Sequence, residues 1–440
     1  MVRRLLRAGT GILAGLGLAA VMTQMCPDAF AMGKRHHKDA EQAATPNKPG
    51  VQSSQPPALS IPVEPLGFNA PSTFYLGQRE RLLSLDFLDE NHLLFTFHTP
   101  GLIHRANPNE DDVRQIRAMV LKLPQGTVDA EALWTVHGRE RYLWMLKDGK
   151  FLLKDRDNLE QGDATLELKP LLHFPGPLLW MEMDPTQSYL VTDSYEPEAQ
   201  ASRLGDVPSP SSASAEMTDG MDPSGKPDIV VRILRRSSGQ VMLVSHVRTT
   251  VHLPINADGY LDALRSTGKS WLVNLSFFTG GSKNVGKVDS TCSPPLDFVS
   301  HEELVANTCT PDGGRELVAM STDGRRLWKM DSSPTQVWPM LVMGQNGTKF
   351  AVETLTVSHA VAPFSPLSTE DVKGQMVQVF DAAEANQQLS ASASPVLDGG
   401  GNVAISPSGA KVAVLDAGAI QVYELNAQAA PIEAKPAQTH

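Results

Sequence analysis

The amino-acid sequence predicts an all-β fold, a single β-propeller most simply built of seven four-stranded blades. Three observations predict it: a hairpin phrase that recurs seven times, a second hairpin phrase that follows most of its copies, and the near absence of helical periodicity. Units of four strands that repeat at about 40–50 residues are typical of propeller blades, whereas the coils of a stacked-strand solenoid are shorter.

The first phrase consists of an apolar residue, a polar stretch and a second apolar run, as in residues 87–95. Three copies have one extra residue before the second run, and all three carry glycine at the fifth position. Glycine adopts the positive φ that a longer hairpin loop needs at little steric cost. The copies start at Phe87, Val136, Met183, Leu264, Phe298, Met343 and Ile405.

The second phrase is a strand, a glycine-containing turn and another strand. It is clear at residues 229–244, 119–134 and 317–328, and weaker at 377–389 and 420–425. The last unit shows only three strands, and a propeller must close its ring. We expect an extended segment at residues 73–76 to supply the missing strand and to cover a sheet edge.

Composition divides the chain into segments. Residues 1–31 have the features of a signal peptide: a positive start, a short apolar stretch and the cleavage pattern Ala29-Phe-Ala31. Residues 32–70 are predicted to be a disordered linker, 71–425 the propeller, 196–227 a disordered Pro/Ser-rich insertion within it, and 426–440 a flexible tail. A periplasmic or secreted location follows, with no membrane span after cleavage. A retained membrane anchor and a lipoprotein attached through Cys26 are the alternatives.

The remaining cysteines, Cys292 and Cys309, flank one hairpin phrase. In an oxidising compartment they are predicted to form a disulfide, the alternative being two buried free thiols. A zinc site is not expected, because no CxxC pair and no paired-histidine spacing accompanies them.

Charge and motifs exclude several functions. A formal net charge of −11 disfavours nucleic-acid binding, which depends on basic surface. The sequence contains no G-x-S-x-G elbow, H-E-x-x-H helix, P-loop or calcium-loop spacing. The tryptophans on predicted strands, Trp180 among them, are expected in the core between blades.

One pattern suggests a metal site. The residue before the phrase is acidic in the first, third and fifth units, at Asp86, Glu182 and Asp297. Equivalent positions of a propeller form a ring, so three carboxylates could converge and hold a hard cation. The simpler alternative is that each carboxylate is hydrogen-bonded separately at a strand end.

Two stretches resemble known repeats. Residues 318–329, with an Asp-Gly turn before a strand that carries Trp328, resemble a quinoprotein-like repeat, and residues 402–414 resemble the first hairpin of WD40-like and YVTN-type bacterial propellers. The resemblance implies an exported bacterial propeller. The adjacent cysteines that quinoprotein dehydrogenases set against their cofactor are absent, so no cofactor is predicted.

The function predicted from these observations is a non-catalytic scaffold, a monomer that binds an unidentified envelope protein. The alternatives are a propeller hydrolase or lyase with its active site at the channel mouth, and a propeller that binds a cation or small ligand. Buried carboxylates of raised pKa near the channel favour the enzyme. A broad exposed apolar patch favours the scaffold.

Overall fold

The computed structural model describes residues 55–69, 83–99, 113–196, 229–361 and 367–425. In these residues the chain forms seven antiparallel sheets and no α-helix, so the all-β propeller of seven blades is confirmed. None of the described segments contains a helix that is long and apolar enough to cross a membrane. The signal peptide with Cys26, residues 73–76, residues 197–227 of the insertion and the C-terminal tail lie outside the described residues.

The first strand, β1 (Leu59–Pro62), precedes the blades, which then follow in chain order. The first three blades contain β2 (Leu83–Asp89), β3 (His92–His98), β4 (Val113–Lys122) and β5 (Thr127–His137); β6 (Leu143–Met145), β7 (Phe151–Asp155), β8 (Asn158–Gly162) and β9 (Lys169–His173); and β10 (Leu178–Met183), β11 (Tyr189–Tyr195), β12 (Ile229–Arg235) and β13 (Gln240–Val247).

Blades four and five contain β14 (Gly259–Arg265), β15 (Ser270–Phe277) and β16 (Ser282–Asp289), and then β17 (Leu296–Phe298), β18 (Glu303–Cys309), β19 (Arg315–Ser321) and β20 (Arg326–Ser332). The last two blades contain β21 (Gln336–Met343), β22 (Lys349–Val357), β23 (Val372–Asp381) and β24 (Gln387–Ala393), and then β25 (Val403–Ile405), β26 (Lys411–Asp416) and β27 (Ala419–Glu424).

Within each blade the strands pair in sequence order, and the first strand is the innermost. The first strands of neighbouring blades contact each other, β2 with β6 and β25, β14 with β17, and β21 with β25. Side chains placed on first strands of different blades can therefore meet around the ring axis.

The ring is closed by β1, which adds to the last blade beside β27, with Ile61 opposite Ile420. The strand that closes the ring is therefore Leu59–Pro62. It lies nearer the N-terminus than residues 73–76, the segment predicted to supply it. The propeller consequently begins before residue 71. Phe68, just beyond this strand, packs edge-on against Phe95 and Phe97 of the first blade.

Two details differ from the predicted repeat. The fourth blade has three strands in the described residues, whereas the other six sheets have four. The phrase that starts at Val136 is not a hairpin within a blade, because Val136 lies at the end of β5, one residue before its last, and the next apolar run forms β6. That copy therefore joins the outer strand of one blade to the inner strand of the next.

The apolar core lies between neighbouring blades. One cluster joins Val273 and Val285 of the fourth blade to Leu304 and Val318 of the fifth. Trp328 is buried and stacks on Phe350 across the next interface, with ring centroids 5.3 Å apart. Because neighbouring blades cover both faces of a sheet, its strands carry apolar residues on both faces.

Cys292 and Cys309 form a disulfide, with their Cα atoms 5.6 Å apart. The bond connects the segment after β16 to the end of β18, and so ties the fourth blade to the fifth. The guanidinium of Arg315 donates to the sulfur of Cys309.

Candidate functional site

The candidate site is centred on His252, in the connection between β13 and β14. This connection folds back along β14: the amide of Leu261 donates to the carbonyl of Pro254 at 2.9 Å, and Ile255 forms a bridge with Tyr260. Because β15 occupies the other edge of β14, the connection lies on the inner edge of the fourth blade. His252 therefore reaches the first strands of the blades on either side.

Both nitrogens of the His252 ring face oxygen acceptors. Nδ1 is hydrogen-bonded to Glu182, in the first strand of the third blade. Nε2 lies 2.9 Å from the carbonyl oxygen of Leu296 and 3.5 Å from Oδ1 of Asp297, both in the first strand of the fifth blade. One imidazole thus bridges two blades across a third.

This arrangement favours the charged form of the ring. Partial burial acts to lower the pKa of His252, but the negative charge of Glu182 and hydrogen bonds with Asp297 and Glu182 outweigh it. The pKa of His252 is therefore raised well above its usual 6.5. The two acidic neighbours thus stabilise the imidazolium, the form of the ring that can donate a proton.

Asp193 lies behind the histidine, on β11, and its side chain is completely buried. One carboxyl oxygen accepts the amide of Val251 at 2.6 Å, and the other has no hydrogen-bond partner in the structure as described. Burial raises the pKa of Asp193 to about 7, with a further upward contribution from Glu182, against the opposing effects of the Val251 amide and the His252 charge. Asp193 therefore holds the backbone next to His252 while its own charge changes near neutral pH.

Solvent reaches the site from the side of Trp180. The indole nitrogen of Trp180 donates to Glu182 at 2.6 Å, and the tryptophan is 41% exposed. The prediction that Trp180 belongs to the core is therefore wrong, since its ring is exposed and hydrogen-bonded to a carboxylate. The side chains of His252 and Asp297 are 36% and 39% exposed, so a ligand in solution has access to both.

The structure brings together two of the three carboxylates that the sequence singles out. Glu182 and Asp297 both meet His252, whereas Asp86 accepts a hydrogen bond from Ser84 on its own strand at 2.6 Å. Across the described segments, no group of three or more His, Cys, Asp or Glu side chains has the arrangement of a metal site. The equivalent positions in the third and fifth blades, which suggested a cation site, thus place Glu182 and Asp297 on either side of His252.

Sequence reasoning did not select His252 or Asp193. His252 lies outside both hairpin phrases, in the run Val251-His-Leu-Pro-Ile255. In that run the apolar residues Val251, Leu253 and Ile255 alternate with polar or turn residues, and all three are buried. A single polar residue that alternates with buried ones in a connection was the signal available.

The chain matches no family model and no curated protein. Among solved structures it is similar to the acylaminoacyl peptidase of Pyrococcus horikoshii in its orthorhombic crystal form, with a TM-score of 0.43 and 9% identity over 76% of this chain and 49% of that one. The uncomplexed form of the same peptidase gives a TM-score of 0.44 and 9% identity over 80% and 54%. The chain thus spans about half the length of these structures.

The geometry of the site, rather than the matches, corrects the prediction of a non-catalytic interaction scaffold. Asp193, a buried carboxyl group of raised pKa, lies next to the connection that carries His252, and a carboxyl group of this kind is the feature that distinguishes the enzyme alternative. The resemblance to WD40-like, YVTN-type and quinoprotein-like repeats stays a prediction, since no family model matches.

Proposed function

We propose that this chain is a propeller enzyme, a hydrolase or lyase, in which His252 acts as the general acid. The observation that carries the proposal is the imidazole of His252, held at both nitrogens by acceptors from two blades and open to solvent. Hydrolysis and elimination both expel a leaving group, and both are accelerated when that group receives a proton as its bond breaks.

Each side chain of the site has a role in this chemistry. Glu182 binds Nδ1 of His252 and keeps the ring oriented, as the acid of a catalytic triad orients its histidine. Nε2 donates its hydrogen bond to the carbonyl of Leu296 in the absence of a substrate, and in the reaction the N–H bond of Nε2 breaks as its proton is transferred to the leaving group. The Asp297 carboxylate lies beside the same nitrogen and accepts a proton from the attacking water or from the substrate carbon.

The experiment is a turnover screen of the full chain against peptide, ester, glycoside and uronate substrates, with products identified by mass. Hydrolysis adds one water to the products, whereas elimination adds none and leaves a double bond. For any substrate that is turned over, His252→Gln is expected to lower kcat by about 100-fold to 10,000-fold, the usual contribution of a general acid.

The matched control is His137→Gln. His137 is also a partly buried histidine paired to a carboxylate, with Nδ1 2.8 Å from Asp155, but His137 lies in the first blade and Asp155 in the second, away from the site. Its replacement is expected to leave kcat unchanged. Turnover that survives His252→Gln, or that falls equally in both variants, contradicts the assignment.

A further inference from the structure

The fourth blade leaves an edge of its third strand open. After β16, residues 290–295 lead directly into β17 of the next blade and include the consecutive prolines Pro294 and Pro295, which cannot donate to a sheet. In each of the other six sheets a fourth strand lies beside the third. Among the described strands, β16 is thus the one third strand without a neighbour on its outer side.

The open edge presents unpaired backbone groups. Ser290, just after β16, donates its amide to Lys269 at 2.7 Å, on the side of β15. Amides alternate in direction along a strand, so those of Lys287 and Asp289 point to the outer side. Neither amide has a hydrogen-bond partner within the described structure, since β16 pairs with β15 alone. An edge of this kind is a template for a further strand.

A cavity of about 250 Å³ adjoins this edge, between the fourth and fifth blades. One wall is formed by Asp289, Ser290 and Thr291, and the other by side chains of the fifth blade that include Arg326 and Lys329. Cys309 of the disulfide lines the same cavity, so the two walls are joined covalently. This cavity, called the notch below, therefore lies between two covalently linked parts of the ring.

The charges around the notch favour an acidic occupant. Its acidic groups are already engaged: Asp289 accepts a hydrogen bond from Ser270, and Glu316 is paired with Lys329. Of the basic groups that line it, Lys269 and Arg326 have no ion-pair partner in the part of the chain that is described. A surplus of positive charge at this place contrasts with a chain whose formal net charge is −11.

We propose that the open edge of β16 is a docking site for an extended acidic peptide segment of a protein partner. The segment adds as the fourth strand of the fourth blade, its backbone bound to Lys287 and Asp289 and its carboxylates facing the basic groups of the notch. Backbone pairing supplies affinity in this mode of recognition, and side-chain charge supplies selectivity. The proposal does not depend on the proposed catalytic function.

The test uses the full chain and a fluorescein-labelled synthetic peptide of alternating glutamate and valine, as long as β16, with binding followed by anisotropy. The matched control peptide has the same sequence with alternate amides N-methylated, which keeps the charges but prevents strand pairing. The unmodified peptide is expected to bind at least about tenfold more tightly than the methylated one, or about 1.4 kcal/mol.

Two variants place the binding on β16. Lys287→Pro removes an outward amide and is expected to weaken binding about tenfold relative to Lys287→Ala, which removes only the charge. If Lys287→Pro does not fold, the methylated peptide still decides. Equal binding of the two peptides shows simple charge attraction and overturns the proposal, as does the absence of binding at about 1 mM peptide.

Discussion

At the scale of single residues, the site depends on a histidine whose surroundings come from three blades. Glu182 and Asp297 are separated by a whole blade in sequence, and only the ring brings both to His252. The sequence phrase identified the positions of the two acids because equivalent positions face the same axis. It did not identify the histidine, since connections between blades carry no repeat.

Asp193 makes stability depend on pH. The folded chain keeps its proton up to about pH 7, whereas the unfolded chain releases it near the ordinary value of 3.8. The folded state therefore binds more protons over this range, and the stability contributed by Asp193 is complete below about pH 4 and lost as pH rises through 7. The loss amounts to at most about 4 kcal/mol, from the size of the pKa difference.

We predict that Asp193→Asn flattens the decline of stability between about pH 4 and 7. Asparagine retains an oxygen for the amide of Val251 but cannot ionise. The measurement is the free energy of unfolding in urea across this pH range for wild type and variant. Parallel curves would show that Asp193 does not titrate there. His252, whose pKa is also raised, accounts for loss of stability only above about pH 6.5.

At the scale of elements, the hairpin phrase predicted most blades because it reflects a turn between first and second strands. It failed at Val136, where a blade boundary has the same apolar–polar–apolar pattern. The shortest interval between copies, 34 residues from Leu264 to Phe298, coincides with the three-stranded blade. The short interval thus indicates that this unit lacks a strand, but the pattern alone does not say which strand is absent.

The turn that leads from the His252 connection into β14 requires glycine. A Cβ atom on Gly259 would lie 2.0 Å from the carbonyl oxygen of Ser276 in the paired strand. Gly259 also donates its amide to the side chain of Asn256 at 3.0 Å, which holds the turn closed. The strand pair and the position of the connection are therefore set by the same residue.

We predict that Gly259→Ala destabilises the fold by about 1–3 kcal/mol, because the strands must separate to admit the methyl group. Gly374→Ala is the matched control: Gly374 also lies in a strand, β23, and a Cβ there meets nothing within 4 Å. Thermal unfolding of the two variants distinguishes them. Equal melting temperatures would show that the close approach of Gly259 to Ser276 does not exist in solution.

At the scale of the whole molecule, the ring is stabilised by a segment that composition assigned to a linker. Residues 32–70 are polar and rich in proline, yet Ile61, Val63 and Phe68 are buried against the first and last blades. A short strand of this kind carries little periodicity, so the missing strand of the last blade could be predicted from the sequence but its position at Leu59–Pro62 could not. The seven-unit repeat itself could be predicted from the sequence because every blade buries apolar residues against its neighbours in the same pattern.

We predict that Phe68→Ala costs about 3–5 kcal/mol, the range for loss of a buried aromatic side chain. Its ring contacts Phe95 and Phe97, so the cavity opens where β1 meets the first blade. Leu133→Ala, at a position 62% exposed, is the control and is expected to change stability little. Unfolding in urea gives both values. A small loss for Phe68→Ala would mean that ring closure does not use this segment.

The most direct test of the central claim is an NMR pH titration of the His252 ring in the full chain. The signals of this ring, one of 12 histidines, are assigned by their loss in His252→Gln. An imidazole held between Glu182 and Asp297 is expected to titrate well above 6.5, with protons on both ring nitrogens in its charged form. Titration at or below 6.5 would contradict the bridging site and the catalytic role built on it.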